Sequence, residues 1–193
     1  MADTLARTSP LRPWADRFAE LSDSVTLVEE PFTTMVELRC DRAGAGAALA
    51  GLLDLALPTT PGTYTRAADA EAIWLGPDEW LITGTSLTGS ELEARLRDAL
   101  GPRGGTAVDV SGQRTTLRLT GPRSADVLAK GCAIDLHPGV FGGGAAAQTT
   151  LGHTGVILLS VRDDATDYRI LVRSSFARYL ADWLLDAAEE YTP

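Results

Sequence analysis

Between Asp109 and Leu128 the chain reads Asp-Val-Ser-Gly-Gln-Arg-Thr-Thr-Leu-Arg-Leu-Thr-Gly-Pro-Arg-Ser-Ala-Asp-Val-Leu, a punctuation that predicts strand, turn, strand and capped helix in that order. Two short alternating runs, Ala107 to Val110 and Thr115 to Leu119, flank Ser111-Gly112-Gln113-Arg114. A glycine in such a turn suits positive φ, so the pattern predicts a β-hairpin. Thr120 and Gly121 suit a helix start, Pro122 suits the first helical position, where its missing N–H is no loss, and Gly131 suits the stop.

The rest of the chain follows the same grammar. Ser9-Pro10-Leu11-Arg12-Pro13-Trp14 predicts an extended arm, because the two prolines disfavour a helix start there. Trp14 on that arm wants a surface, either on its own domain or on a partner. Thr33 to Cys40 alternates as a half-buried strand, with Thr34, Val36, Leu38 and Cys40 opposite Met35, Glu37 and Arg39. Asp41 caps a helix carrying Leu49, Leu52, Leu53 and Leu57 on one stripe and ending at Pro58. Ala72 to Leu75 and Trp80 to Thr83, around Gly76-Pro77-Asp78-Glu79, predict a second hairpin.

Ser90-Glu91-Leu92-Glu93 has capping-box spacing and opens a helix faced by Leu92, Leu96, Ala99 and Leu100. Gly101 to Gly105 then marks a joint. Beyond it, Gln148 to Leu151, Val156 to Val161 and Tyr168 to Val172 predict three more strands. Ser174 or Ser175 opens a last helix striped by Phe176, Tyr179, Leu180, Trp183, Leu184 and Ala187. The expected fold is α+β and pseudo-duplicated, with mainly antiparallel sheets and helices packed on one side. Its parts are an N-terminal arm (1–22) and two α+β halves (23–103 and 104–193) in one compact unit.

Charge and cysteine usage exclude several functions. The net charge is −9, with 16 acidic against 9 basic residues up to position 105 and 10 against 8 beyond it. Such a chain repels polyphosphate, which argues against a nucleic-acid partner. Cys40 and Cys132 are too few for a disulfide framework and read as buried thiols. With neither a signal-peptide core nor a run long enough to span a bilayer, the expected setting is the cytoplasm, without a membrane.

Few groups promise chemistry. Asp109, Ser111 and His137 or His153 make a triad only on paper, since Ser111 lacks a nucleophile elbow and suits turn hydrogen bonds better. The histidines and cysteines lack metal-ligand spacing. Gly142-Gly143-Gly144 lacks the residues of a phosphate loop and reads as a mobile loop, and the carboxylate pairs Asp78-Glu79 and Asp163-Asp164 sit in solvated turns. One constellation survives: Arg114 and Arg118 share a strand face with Thr116, as Arg169 and Arg173 do with Leu171. If those strands pair, four guanidinium groups meet on one face, which is either an ordinary solvated surface or a partner-docking one. The candidate docking residues are thus Arg114, Arg118, Arg169, Arg173 and Trp14; no catalytic, cofactor-binding or metal residue is assigned.

The words Asp-x-Ser-x(8)-Gly-Pro before an Ala-x-x-x-Leu helix resemble a segment of the folate-dependent glycine-cleavage aminomethyltransferase, or T-protein. The chain resembles more closely the gamma subunits of heterotetrameric sarcosine oxidase, through Trp74 to Leu81, Val108 to Arg114, Lys130 to Pro138 and Val172 to Phe176. That resemblance runs from about residue 9 to about residue 186. It implies a fold like the N-terminal domain of the T-protein and partnership with alpha, beta and delta subunits. It also implies a complex that demethylates sarcosine oxidatively to glycine, releases hydrogen peroxide and passes the one-carbon unit to tetrahydrofolate. FAD, FMN and NAD belong, by the same resemblance, to the larger subunits and not to this chain. The T-protein places acidic residues after a Gly-Gly, whereas the counterpart here, Leu151 to Leu158, contains no Asp or Glu. The family's catalytic acid therefore does not carry over. The alternative reading is a free-standing folate-binding or one-carbon-transfer protein of the T-protein superfamily.

Overall fold

The computed structural model describes residues 6–192. A turn of 3-10 helix (Arg12–Trp14) runs into α1 (Ala15–Ala19), followed by β1 (Thr26–Glu30), β2 (Thr34–Arg39) and α2 (Arg42–Leu53). Then come β3 (Tyr64–Arg66), β4 (Ala70–Gly76), β5 (Glu79–Gly84), α3 (Gly89–Leu100), β6 (Thr106–Asp109) and β7 (Arg114–Thr120). The chain continues through α4 (Ser124–Ala129), β8 (Ala146–Leu151), β9 (Thr154–Ser160) and β10 (Asp167–Arg173) to α5 (Ala177–Ala188). The part of the expected arm before Ala6 lies outside the described residues. From Arg12 to Ala19 the arm is helical where an extended course was expected: Pro13 falls in the first turn of the 3-10 helix, where a missing N–H breaks no bond.

Two antiparallel five-stranded sheets result, ordered β1-β7-β10-β9-β8 and β3-β4-β5-β2-β6. They pack against each other through Met35, Tyr64, Ile73 and Leu81 from one sheet and Ala146, Ile157, Leu159 and Leu171 from the other. Outside the first sheet lie α1, α4 and α5, sealed by a core that includes Phe18, Leu117, Val127, Tyr168, Ile170 and Leu184. Outside the second lie α2 and α3, over Val36, Leu38, Leu49, Trp80, Leu96 and Ala107. The period-2 alternation of β10 makes this concrete. Tyr168, Ile170 and Val172 face the helices while Leu171 faces the other sheet, so both sides of the strand are buried. The same holds at β2, where Met35, on the face expected to meet solvent, is 1% exposed between the sheets.

The expected hairpin across Ser111 to Arg114 does not form. β6 pairs with β2, and β7 pairs with β1 and β10, so Val110 to Gln113 is a crossover between sheets. Alternation specifies which face of a strand is buried, not which strand lies beside it. Gly112 accordingly has an ordinary φ, while Ser111 Oγ accepts from Met35 N–H (3.0 Å) and anchors the crossover to β2. The same topology interchanges one strand across the 103/104 division, placing β1 with the C-terminal strands and β6 with the N-terminal ones. β1 and β3, two short edge strands, had no sequence signal strong enough to predict them. The second hairpin, β4 to β5, forms as expected with an irregularity between Trp74 and Gly76. Trp80 is wholly buried there and donates from Nε1 to Pro58 O (2.9 Å), which satisfies its one polar atom.

Several element ends move for local reasons. Asp41 caps α2 through Ala43 N–H (2.9 Å), but the helix ends at Leu53, with Asp54 left-handed (φ 52°), and Leu55 and Leu57 reach the core from the following segment. The capping box of α3 is Thr88 with Glu91, two residues before the expected pair. Glu93 instead accepts from Asp109 N–H (2.7 Å), which ties α3 to β6. α4 begins at Ser124, because Thr120 remains in β7 and Gly121 (φ 121°) bends the chain against Ser24. Gly131 ends α4 without positive φ: a Cβ there would lie 2.5 Å from the ring of Trp183.

Gly121→Ala is expected to destabilise the protein by about 2 kcal/mol or more, since a Cβ would sit 2.4 Å from Ser24 O at a left-handed φ. Gly112→Ala, in open space, is expected to stay within about 0.5 kcal/mol of wild type. Urea unfolding of the two variants checks both, and equal losses would contradict the crossover geometry.

Candidate functional site

The register of β7 against β10 sets Arg118 opposite Arg169 and Arg114 opposite Arg173. The four arginines therefore share one strand face, as the spacing suggested. The middle of that face is not solvated, because Thr116 and Leu171 between the pairs are 3% and 2% exposed, turned toward the other sheet. Like charges directly opposite in a ladder destabilise it unless something answers them.

At the Arg118 end the answer is built in. Arg118 binds Asp167 in bidentate fashion (Nε to Oδ1 3.0 Å, Nη2 to Oδ2 2.7 Å) and lies 3.8 Å from Glu30. The hydrogen bond to Asp167 raises the Arg118 pKa, and burial opposes it. Arg169 donates to Glu71 Oε1 (2.6 Å), and its Nε lies 2.9 Å from Glu30 Oε2 without hydrogen-bond alignment. Arg66 also binds Glu71 (Nε to Oε1 2.6 Å), which accepts from Thr83 Oγ1 (3.1 Å) as well. Three arginines thus meet three carboxylates, contributed by both sheets. A cleft of 420 Å³ opens beside this network, lined by Glu30, Arg66, Glu71, Thr83, Thr116 and Arg169, and Thr116 Oγ1 is buried there without a partner. Glu30, Glu71 and Asp167 were not singled out from the sequence. The available signal was an Arg-Leu-Arg face, whose apolar middle implies burial and so demands carboxylates.

At the Arg114 end the balance differs. Among the described residues no carboxylate lies within 4.0 Å of Arg114 or Arg173; the Arg114 guanidinium reaches only the neighbouring Gln113 side chain. Burial first, and Arg173 second, lower the Arg114 pKa. The pair borders an open cleft of 540 Å³ with Gln148, Thr150, His153 and Phe176 on its walls. Trp14 is engaged within the chain: its Nε1 donates to Asp182 Oδ1 (2.9 Å), and the Arg178 guanidinium stands 5.6 Å from its ring centre. Of the two surfaces open to it, Trp14 covers α5.

The other candidates resolve into structural bonds. Ser111 Oγ donates to Asp109 Oδ1 (2.6 Å), and Asp109 also accepts from Ser111 N–H (2.9 Å), an arrangement that closes the turn. His137 Nδ1 accepts from Gly139 N–H (3.1 Å). The Gly142 to Gly144 loop directs its amides into the protein, Gly143 to Asp163 (2.9 Å) and Gly144 to Ser160 O (2.9 Å). Glu79 pairs with Arg39 (2.9 Å), and Arg162 with Thr166 holds Asp164 down to about 2. Cys40 is buried and Cys132 partly buried, both as free thiols. No metal-ligating cluster occurs among the described residues, and no helix there is long and apolar enough to cross a membrane.

Two antiparallel sheets packed face to face, each with helices on its outer side, define an α+β module with an aminomethyltransferase-like fold. The glycine cleavage system aminomethyltransferase T from Bartonella henselae superposes on 89% of the chain with a TM-score of 0.65 at 15% identity, using 48% of its own length, and establishes the fold alone. The sarcosine oxidase, gamma subunit family matches residues 39–190, and the chain belongs to that family. It is 38% identical to the sarcosine oxidase subunit gamma of Corynebacterium sp. (strain P-1) over 192 residues, covering 97% of this chain and 93% of that one. A chain of the heterotetrameric sarcosine oxidase from Corynebacterium sp. U-96, solved with pyrrole 2-carboxylate, superposes with a TM-score of 0.87 at 36% identity over 97% of each chain.

Glu71→Ala is expected to cost about 3 kcal/mol, because Arg66 and Arg169 lose a carboxylate that is largely buried. Arg66→Gln is expected to cost less than about 1 kcal/mol, since Arg66 is solvent-screened and Glu71 keeps Arg169. Chemical denaturation of both variants checks the ranking.

Proposed function

We propose that this chain is the gamma subunit of a heterotetrameric sarcosine oxidase and serves the complex through assembly, with no catalytic step of its own. The observation that carries the reading is the superposition over 97% of both chains on a member of such a complex. It is supported by the fate of the candidate groups: Asp109, Ser111, His137, Glu79, Asp163 and Asp164 are each held by structural bonds. On this reading alpha, beta and delta subunits are its partners. The larger chains hold FAD, FMN and NAD, and the complex oxidises sarcosine to glycine with release of hydrogen peroxide and transfer of the one-carbon unit to tetrahydrofolate.

The aminomethyltransferase-like fold also raises tetrahydrofolate as a ligand of this chain itself, and the buried polar groups of the cleft argue against it. A pterin needs a free carboxylate to accept from its amino and ring N–H edge. In the cleft between the sheets the buried-side carboxylates Glu30 and Glu71 are already bound to arginines, Asp69 on its wall is solvent-exposed, and the buried unpartnered hydroxyl of Thr116 does not replace that edge. Calorimetric titration of the isolated chain with about 1 mM tetrahydrofolate is expected to give no binding heat. Saturable heat would favour a free-standing folate binder.

Co-expression with the alpha, beta and delta genes is expected to give one size-exclusion peak containing all four chains. Repeated elution of this chain alone, with folded partners present, would overturn the subunit assignment.

A further inference from the structure

The β7–β10 ladder contains its own control. It opposes two arginines twice, at Arg118 with Arg169 and at Arg114 with Arg173. The first opposition is neutralised by Glu30, Glu71 and Asp167. The second has the same backbone geometry and, among the described residues, no carboxylate within 4.0 Å; Glu37, whose charge acts on Arg114 from further away, is itself bound to Arg39. In a chain of net charge −9 with no basic run, this is not part of a general cationic surface.

The surroundings say what kind of group completes the pair. Gln148 is held to the opposite sheet, its Nε2 donating to Leu75 O (3.0 Å), and the His153 backbone N–H donates to Tyr179 Oη (3.0 Å). The two guanidiniums are the arginine donors of the cleft, Arg114 reaching the neutral Gln113 side chain, and each is a planar fork suited to carboxylates. Beside them Phe176, at the N-terminal cap of α5, and Tyr179, in its first turn, are 45% and 37% exposed whereas Leu180 and Leu184 are buried. Unpaired arginine next to exposed aromatic rings is the composition of a protein interface core. A second copy of this chain is a poor occupant, because two-fold apposition of the patch would bring four guanidiniums together.

We propose that Arg114 and Arg173 together receive a carboxylate from an acidic segment of another oxidase subunit, with Phe176 packing beside it. The inference rests on the gamma-subunit reading and narrows it to one end of one ladder and one chemistry. Arg118, Arg169 and Trp14, which are engaged within the chain, are not part of this surface.

The test compares wild type, Arg114→Gln/Arg173→Gln and Arg114→Lys/Arg173→Lys in assembly with the co-expressed partner subunits. The double Gln variant is expected to melt, as the free chain, no lower than wild type, because a like-charge opposition has been removed. Its affinity for the partner subunits is expected to fall about tenfold or more, with a flatter dependence on salt. The double Lys variant is expected to keep part of the affinity. Wild-type affinity and salt dependence in the double Gln variant would overturn the inference while leaving the gamma-subunit assignment standing. Failure of the wild-type chain itself to bind would overturn that assignment, and the inference with it. Self-association of the free chain that is abolished by the double Gln substitution would transfer the site to a second copy, also against the proposal.

Discussion

The antiparallel ladder between β7 and β10 opposes guanidinium to guanidinium twice on a face that turns toward a second sheet. Charges in that position must be answered within the protein or beyond it. At one end Glu30 arrives from β1, Asp167 from β10 and Glu71 from β4 across the interface, and the network joins both sheets. Such a network adds little net stability, since desolvation offsets much of the attraction, but it fixes how the sheets lie on each other. The apolar contact through Met35, Ile73, Leu81, Ile157 and Leu171 supplies the larger stabilisation.

The crossover at Val110 to Gln113 belongs to the same geometry. By carrying the chain from β6 in one sheet to β7 in the other, it turns two α+β units into one body with interchanged strands. Asp109 and Ser111, which look reactive on paper, sit at this crossover because a tight change of direction needs side chains that bond to the backbone. Their polarity belongs to the topology. The triple glycine is similar: it lets amides reach Asp163 and the Ser160 carbonyl, and Phe141 beside it is buried.

Part of what is left over after the internal bonds are assigned lies at one surface. Arg114, Arg173, Phe176 and Tyr179 cluster beside one open cleft. For a member of the sarcosine oxidase gamma subunit family, whose solved relative comes from a heterotetramer, an unanswered charge beside exposed aromatic rings is a natural point of contact. The fold thus separates roles, with electrostatics satisfied where the sheets meet and left open where the ladder ends.

Local chemistry in the sequence was enough to determine the α+β class, the helices capped at Asp41 and striped by Leu92 and Leu96, the β4 to β5 hairpin, and the shared strand face of Arg114 with Arg118 and of Arg169 with Arg173. Those features depend on residues a few positions apart, whose periodicity and capping act within one element. Only the tertiary structure decided that β6 and β7 part company, that Thr88 and not Ser90 caps α3, and that Phe176 and Tyr179 stay exposed. It alone decided, too, that the two strands pair to bring the four arginines together, and that Arg118 and Arg169 are answered while Arg114 and Arg173 have, among the described residues, no carboxylate within 4.0 Å. The physical reason is that strand partners and counter-charges come from residues far apart in the chain: Glu71 and Arg169 meet only because two sheets pack, and no local pattern encodes that approach.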